Sequence, residues 1–154
     1  MSAFVLRPPR DDERARLVDL WVEAWRATFP AIDFDARRDW LVAQLASLER
    51  DGAHLIAVYE DAAPQGFVTI HPGTGWLDQI AVRPERFGRG AARALLEEAR
   101  RLSPLRIELD VNADNIRALR FYTREDFARI GDGRNPNSGL PTYRLRWTPR
   151  SART

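Results

Sequence analysis

Two glycines stand between a strand-like stretch and a predicted helix in the middle of the chain, where they could hold an anion. Gly88 and Gly90 lie in the run Phe87–Gly88–Arg89–Gly90–Ala91–Ala92, and neither this run nor the four residues after it contain an acidic side chain. Glycine lets the backbone turn so that successive N–H groups point into one concavity, and a following helix adds the positive end of its dipole. The run therefore predicts a phosphate-binding loop. It lacks the Gly-Lys-Ser/Thr ending of a nucleoside triphosphate loop and the early βαβ setting of a dinucleotide fold.

A second segment follows another strand-like stretch and places two aromatic residues after a polar one. Its matching residues are Asn115, Ala118, Phe121 and Tyr122. In these two segments the chain resembles the GNAT superfamily of acyl-CoA-dependent N-acyltransferases. Residues 87–92 are similar to the family's Gln/Arg-x-x-Gly-x-Gly/Ala pyrophosphate loop, and the second segment is similar to its Asn-x-x-Ala-x-x-Phe-Tyr helix.

The chain departs from the family pattern at two positions. Phe87 replaces the usual Gln or Arg, which removes a side-chain contact at the loop but leaves the backbone amides in place. Asp126 stands where relatives usually have Gly after the helix, at a position that often needs a positive φ, and Asp tolerates that conformation better than most residues. The resemblance is strong over residues 54–147 and weak over the preceding part of the chain.

The resemblance implies where coenzyme A would bind. Its pyrophosphate would contact the amides of Gly88 to Arg93, and its pantetheine arm would run along the strand that contains Ile80, Ala81 and Val82. The Ile80 carbonyl and the Val82 amide are the expected partners of the arm, and the Val82 amide would also donate to the oxyanion. An ordinary core strand is the competing interpretation.

Tyr122 corresponds to the family's usual general acid, positioned to protonate the departing sulfur. A phenol remains protonated at neutral pH, as this step requires. The competing interpretation is a packed ring whose hydroxyl caps a backbone group. Asn115 would contact the coenzyme A arm, although capping of its helix would also account for it.

The sequence defines the general base less sharply. Asp78 lies on the acyl-binding strand, and with Leu77 buried its side chain should point to the opposite face, toward the acceptor. It is a candidate base or amine-orienting carboxylate, and a solvated strand carboxylate is the alternative. Glu23 is a weaker candidate, and many relatives pass the proton to water.

The acceptor pocket is expected between the first two helices and the loop before the last strand. Its candidates are aromatic and polar side chains: Trp25, Thr28, Phe29, Trp40, Asn135, Asn137 and Ser138. Tryptophans at helical spacing are also typical of a core. Three arginines near that loop would suit an acceptor with a carboxylate: Arg134, Arg144 and Arg146.

Composition limits the classes of function. The chain has 154 residues, a net charge of +2, no Cys and only two His residues, so a metal-free mechanism is expected. No stretch is apolar enough to span a membrane and the N-terminus lacks a signal pattern, so we expect a cytoplasmic protein without a membrane partner. All 24 basic residues are Arg. Acidic residues accompany them along the chain, which argues against a nucleic-acid partner.

The elements that would position these residues follow from hydrophobic periodicity. No repeat or linker divides the chain, so we predict an α+β fold, a single GNAT-like domain over residues 1–148 and a flexible basic tail over residues 149–154. The expected core is a central mixed, mostly antiparallel sheet of about six to seven strands with about four flanking helices. Strands are predicted at 4–7, 55–59, 66–70, 76–82, 105–111, 127–130 and 142–147, and helices at 11–29, 34–48, 90–102 and 115–124, with a turn at 61–65 and a polar loop at 131–141.

The function predicted from these features is transfer of an acetyl group from acetyl-CoA to a primary amine of a small molecule, by direct attack in a ternary complex. The alternatives are a non-catalytic acyl-CoA-binding module, an acetyltransferase for peptide or protein N-termini, and an enzyme that uses a longer acyl donor. A homodimer through the last strands, common among similar proteins, is a possible assembly.

Overall fold

The computed structural model describes residues 4–150, and these contain seven strands and four α-helices. None of the helices in this part of the chain is long and apolar enough to cross a membrane. In chain order the elements are β1 (Val5–Arg7), α1 (Arg14–Thr28), α2 (Arg38–Arg50), β2 (His54–Glu60), β3 (Ala63–Ile70), β4 (Ile80–Val82), α3 (Ala91–Leu102), β5 (Ile107–Asn112), α4 (Ile116–Arg124), β6 (Ala128–Arg134) and β7 (Pro141–Trp147).

The strands form two antiparallel sheets, and the predicted α+β fold is confirmed. One sheet has the order β1-β2-β3-β4 and the other the order β5-β7-β6. A parallel bridge between Trp76 and Glu108 connects them. The expected central sheet is thus present in two parts, which meet at one point and separate beyond it.

Helices cover both faces of the first sheet, because its strands direct apolar side chains to both faces. Along β2, Leu55 and Ala57 pack in one cluster with α1 and α2, whereas Ile56 and Val58 pack in the other with α3. Successive side chains of a strand point to opposite faces, so a strand with apolar residues at every position must be buried on both. The sequence of β2 therefore requires a layer of helices on each side.

The segment before β4 changes its hydrogen-bonding partner, and the predicted strand over residues 76–82 was too long. Leu77 N donates to Glu108 O at 2.9 Å, which ties this residue to β5. Two residues later Gln79 bonds to β3 instead. Its carbonyl accepts from Thr69 N, and its own N–H donates to the Thr69 hydroxyl, both at 2.9 Å. Only residues 80–82 form a regular strand. The sheet consequently opens between β4 and β5.

Two connections are shorter than predicted. Asp61 and Ala62 form the whole β2–β3 turn with φ of 52° and 65°, the conformation that matches the twist of a two-residue hairpin. Pro64 and Gln65 therefore belong to β3 and not to the turn. Strand β6 continues to Arg134, which reduces the polar loop before β7 to residues 135–140.

Asp126 ends the chain's fourth helix as the sequence predicted, with a φ of 70°. Its carboxylate lies 3.8 Å from an Arg150 nitrogen. The predicted tail begins at residue 149, and its residues 151–154 lie outside the described part of the chain.

A buried carboxylate fixes the start of α1. Glu13 accepts hydrogen bonds from Arg7 Nη1 and Nη2 at 2.9 and 3.0 Å, from Arg10 N at 2.8 Å and from the Tyr59 hydroxyl at 2.9 Å. The bonds from Arg7, followed by the bond from Arg10 N, lower the pKa of Glu13 to about 2. Burial, together with the bond to Glu13, raises the pKa of Tyr59 to about 12. This cluster joins β1, β2 and α1.

Candidate active site

The opening between β4 and β5 is the floor of a cleft of about 1040 Å³. Its walls come from α1, α2, α3, α4 and the loop before β7. A volume of this order accommodates a ligand of cofactor size together with a small molecule. The loop before α3 lines the cleft, and so do Trp25 of α1 and Trp40 of α2.

The glycine loop presents free backbone amides to the cleft. Gly88 and Gly90 have φ of 72° and 90°, which L-residues adopt at a cost. The first intrahelical bond of α3 runs from Ala94 N to Gly90 O at 3.0 Å, so the amides of residues 91–93 have no helical acceptor. Arg89 N instead donates to Arg86 O at 3.1 Å. The amides of Gly88, Gly90 and the first turn of α3 are therefore available to a ligand, whereas the amide of Arg89 is not.

Two residues of β4, Ile80 and Val82, direct their backbone groups toward the opening. Gln79 O and Arg83 N bond to β3, and Ala81 lies opposite Phe67 in the same ladder. Because backbone groups of an antiparallel strand alternate between its two sides, the N–H and C=O groups of Ile80 and Val82 point away from β3. They line the cleft, where an extended ligand could pair with them.

Helix α4 brings Asn115 and Tyr122 to the cleft wall. Asn115 Oδ1 accepts from Ala118 N at 3.2 Å, so this residue caps the helix. Tyr122 is 5% exposed, and its ring packs edge-on against Phe121 and Phe127 with centroid distances of 5.2 Å. No described residue hydrogen-bonds its hydroxyl, and burial raises the pKa of Tyr122. The phenol therefore holds its proton, and no residue in the described part of the chain competes for it.

Asp78 points into the cleft, held by three neutral donors. Its Oδ1 accepts from Trp76 Nε1, and its Oδ2 accepts from Gln44 Nε2 and Gln79 Nε2, all at 3.1 Å. Gln79 in turn accepts from Trp21 Nε1 at 3.0 Å. The carboxylate is thereby fixed to both α1 and α2. Glu23, the weaker candidate, is exposed outside the cleft wall, 3.6 Å from Arg83.

Arg117 is a cleft residue that the sequence did not single out. Its guanidinium lies 3.7 Å from the centroid of the Phe87 ring, and its Nη2 donates to the Thr28 hydroxyl at 2.8 Å. It forms no ion pair with a described residue, and partial burial lowers the pKa of Arg117. Phe87 occupies the loop position where relatives usually carry Gln or Arg. Its ring instead supports the guanidinium of Arg117, which comes from α4. The only signal in the sequence was an arginine two residues after Asn115, the residue expected to cap the helix.

The acceptor end gathers most of the residues predicted for it. Trp25, Thr28, Trp40, Asn135 and Asn137 line the cleft, together with Gln44 and Trp76, which the sequence did not indicate. Within residues 4–150, no three His, Cys, Asp or Glu side chains form a group that could hold a metal ion.

Other predicted residues lie away from the cleft wall. Helix α1 ends at Thr28, so Phe29 leaves the helix with a φ of −132° and its ring stacks on Trp25 at 5.9 Å. Ser138 accepts a hydrogen bond from Leu140 N inside its own loop. Ala91, the first residue of α3, is buried, and the Arg89 side chain is exposed.

The three arginines considered for an acidic acceptor already have partners. Arg134 Nη1 donates to Gly139 O at 2.9 Å. Arg144 binds Asp110 through two bonds of 2.8 and 3.0 Å, and Arg146 binds Glu108 at 3.2 Å. These contacts satisfy the last two charges along the β5–β7 ladder.

Comparison with known proteins agrees with this arrangement. The sequence profile described as Acetyltransferase (GNAT) family matches residues 14–127. A search of curated proteins finds no significant match.

Solved structures with the same fold extend over nearly the whole chain. A GCN5-related N-acetyltransferase from Rhodopseudomonas palustris superposes with a TM-score of 0.80 at 17% identity, covering 97% of this chain and 98% of that one. The PaiA N-acetyltransferase from Thermoplasma acidophilum, solved in complex with coenzyme A, gives 0.78 at 15% identity, covering 96% and 99%. A ribosomal-protein-alanine N-acetyltransferase from Brucella melitensis gives 0.67 at 18% identity, covering 94% and 99%. At these identities the likeness establishes the fold.

The matched profile includes both helices of the acceptor wall, the opened β4–β5 pair, the glycine loop and the Asn115–Tyr122 segment. Sequence and fold therefore lead to one conclusion: the chain belongs to the GNAT acetyltransferase family and is an acyltransferase.

Proposed function

We propose that this protein transfers an acetyl group from acetyl-CoA to the primary amine of a small molecule, with both substrates bound at once. The observation that carries the proposal is the continuity of the cleft. It joins the free amides of the glycine loop, the open edge of β4, the Tyr122 hydroxyl and the carboxylate of Asp78. A donor and an acceptor can therefore meet without a covalent enzyme intermediate.

The donor side offers a partner for each part of acetyl-CoA. The amides of Gly88, Gly90 and the first turn of α3 suit the pyrophosphate, because oriented N–H groups at a helix N-terminus favour an anion. Arg117, supported by Phe87, adds a positive charge at the same loop. The Ile80 carbonyl and Val82 amide suit the amide groups of the pantetheine arm, which would lie between β4 and β5 like an added strand.

The residues of the cleft then divide the chemical step among them. The neutral amine nitrogen attacks the thioester carbonyl carbon, and the Val82 N–H stabilises the oxyanion. As the tetrahedral intermediate collapses, the C–S bond breaks and the sulfur takes the electron pair and the proton of Tyr122. The nitrogen loses its surplus proton to Asp78 or water, and the phenol recovers a proton from solvent. The products are the N-acetyl amide and the free thiol of coenzyme A.

A peptide N-terminus is the second candidate acceptor. The observation in its favour is the exposed face of β5 and β7, where Asp110–Arg144 and Glu108–Arg146 form a polar surface beside the cleft. One fold relative carries the description ribosomal-protein-alanine N-acetyltransferase. The tryptophan-lined end of the cleft favours the smaller acceptor.

The test combines titration calorimetry of coenzyme A with a thiol-release assay. The assay mixes the protein with acetyl-CoA and, in turn, arylalkylamines, polyamines, amino acids and short peptides with free N-termini. Binding of coenzyme A and thiol release with a small amine are expected. Release with peptides alone would replace the acceptor proposed here, and absence of coenzyme A binding would reject the donor.

A further inference from the structure

Asp78 is unusual among the carboxylates of this chain. Most of the others that the structure describes are paired with an arginine, and those that are not, such as Asp39 and Asp114, are exposed. Among residues 4–150, Asp78 is the only half-buried carboxylate without an ion pair. Its three hydrogen bonds come from neutral indole and amide groups. They fix its position and leave its negative charge uncompensated.

No arginine among residues 4–150 forms an ion pair with this carboxylate. Arg144, which lies 4.9 Å from the Trp76 ring centroid, is bound by both oxygens of Asp110. Arg117 lies on Phe87 and donates to the Thr28 hydroxyl, and Arg134, which also lines the cleft, donates to Gly139 O. Among the described residues, the carboxylate of Asp78 therefore remains without an ion-pair partner.

Apolar aromatic surface surrounds the charge. Trp25, Trp40 and Trp76 all line the cleft, and Trp76 also donates to Asp78. Aromatic faces attract organic cations as well as apolar groups. The site thus combines a fixed anion with walls that bind an apolar body.

A carboxylate next to the reacting nitrogen of an acceptor would be repelled by Asp78. In an α-amino acid the two groups are attached to the same carbon, so the carboxylate must lie close to Asp78 whenever the nitrogen does. Two like charges at such separation repel each other, the more so where water is partly excluded. A carboxylate farther along the acceptor would escape this cost.

We propose that Asp78 and the three tryptophans select acceptors in which the amine is carried on an apolar body and has no carboxylate beside it. The inference rests on the proposed function, since it names the class of amine for the same cleft. Amines of the arylalkyl type fit it, and free α-amino acids do not.

The experiment uses a matched set of acceptors with purified wild-type protein and acetyl-CoA. Phenethylamine and phenylalanine have the same ring, spacer and amine and differ by the carboxylate, whereas phenylalaninamide has a neutral group in its place. Thiol release is measured at equal concentrations of the neutral amine. We expect kcat/KM for phenethylamine to exceed that for phenylalanine by about tenfold or more, with phenylalaninamide close to phenethylamine.

The variant Asp78→Asn should bring the ratio of kcat/KM for phenethylamine to kcat/KM for phenylalanine toward one, because the isosteric amide removes the charge. The matched control is Asp39→Asn, which removes another unpaired but exposed carboxylate beside a tryptophan of the wall. It should keep the wild-type ratio. A ratio of two substrates measured on one preparation does not depend on the fraction of folded protein, so a purely structural effect would leave it unchanged.

The possible failures can be told apart. Equal kcat/KM for phenethylamine and phenylalanine in the wild type would overturn the selection by charge and leave the proposed function standing. A ratio that survives in Asp78→Asn would assign the selection to another residue. Coenzyme A binding without thiol release for any small amine would reject the proposed acceptor class and this inference with it.

Discussion

The Tyr122 hydroxyl is the proton donor that we propose for the leaving thiolate. Its ring is held between Phe121 and Phe127, and its hydroxyl forms no hydrogen bond with a described residue. Because burial raises the pKa of Tyr122, the phenol should remain protonated until negative charge develops on sulfur. Substitution by Phe keeps the ring and its packing and removes only the hydroxyl group.

Tyr122→Phe is therefore expected to lower kcat by about tenfold or more while the affinity for coenzyme A stays unchanged. Steady-state kinetics and titration calorimetry measure the two quantities on the same preparation. Phe121→Leu, which alters a neighbouring ring without touching a hydroxyl, serves as the control for packing. An unchanged kcat in Tyr122→Phe would remove the phenol from the mechanism.

Arg117 should contribute charge to donor binding, because it lies on Phe87 and forms no ion pair with a described residue. Arg117→Ala is expected to weaken coenzyme A binding by about fivefold at low salt, and the loss should shrink as salt screens the interaction. Arg120→Ala is the matched control, since Arg120 belongs to the same helix but lies in a separate shallow groove. Equal losses in the two variants would indicate a general effect of net charge.

The glycine loop acts as one element with the first turn of α3. Gly90→Asp adds a negative charge at the amides proposed for the pyrophosphate, and it also forces a side chain into a φ of 90°. We expect coenzyme A affinity to fall by about tenfold or more. Calorimetry measures the affinity directly.

Gly139→Asp separates the two effects of that substitution. Gly139 has a φ of 73° and open space around it, but it lies outside the cleft wall. The backbone strain is thus similar, and only the position of the charge differs. A similar loss of affinity in both variants would place the anion site elsewhere.

Local signals in the sequence were enough to identify the loop and the helix cap. Gly90 and Asn115 act through their own backbone or that of the next turn, and the positive φ of Asp126 also depends on its immediate neighbours. Such features can be read from a few consecutive residues.

Contacts between distant segments could not be read in this way. The bond from Gln44 to Asp78 joins residues 34 positions apart, and it exists only because α2 packs beside the opening of the sheet. Alternation of apolar residues predicted a strand at 76–82, but it cannot tell which neighbouring strand each backbone group will bind. Phe29 was expected in the aromatic wall formed by the first two helices; the first helix ends at Thr28, and the Phe29 ring stacks on Trp25.

The stability of the fold as a whole should depend on the buried Glu13. Its pKa in the folded protein is about 2, below the ordinary value of an exposed glutamate. Ionised Glu13 therefore stabilises the folded state at pH values above the unfolded pKa, and this contribution disappears as the pH falls through the range between the unfolded and folded values.

Glu13→Gln should accordingly be less stable than the wild type at pH 7, and the difference between the two should narrow as the pH is lowered toward 2. Urea unfolding at a series of pH values measures it. Asp12→Asn, at the exposed neighbouring residue, should follow the wild type throughout. Parallel stability curves for Glu13→Gln and wild type would show that the Arg7–Glu13–Tyr59 cluster does not carry this pH dependence.

Beyond the Trp76–Glu108 bridge, the separation of β4 from β5 leaves one edge of each strand without a neighbouring strand. Exposed strand edges can pair with strands of other chains, and soluble proteins usually protect them. A ligand bound between the two strands would cover these edges and so protect the protein from aggregation. Aggregation on storage should then decrease when coenzyme A is added. Amide hydrogen exchange should slow at Val82, which faces the gap, and remain unchanged at Ala81, which is paired with β3.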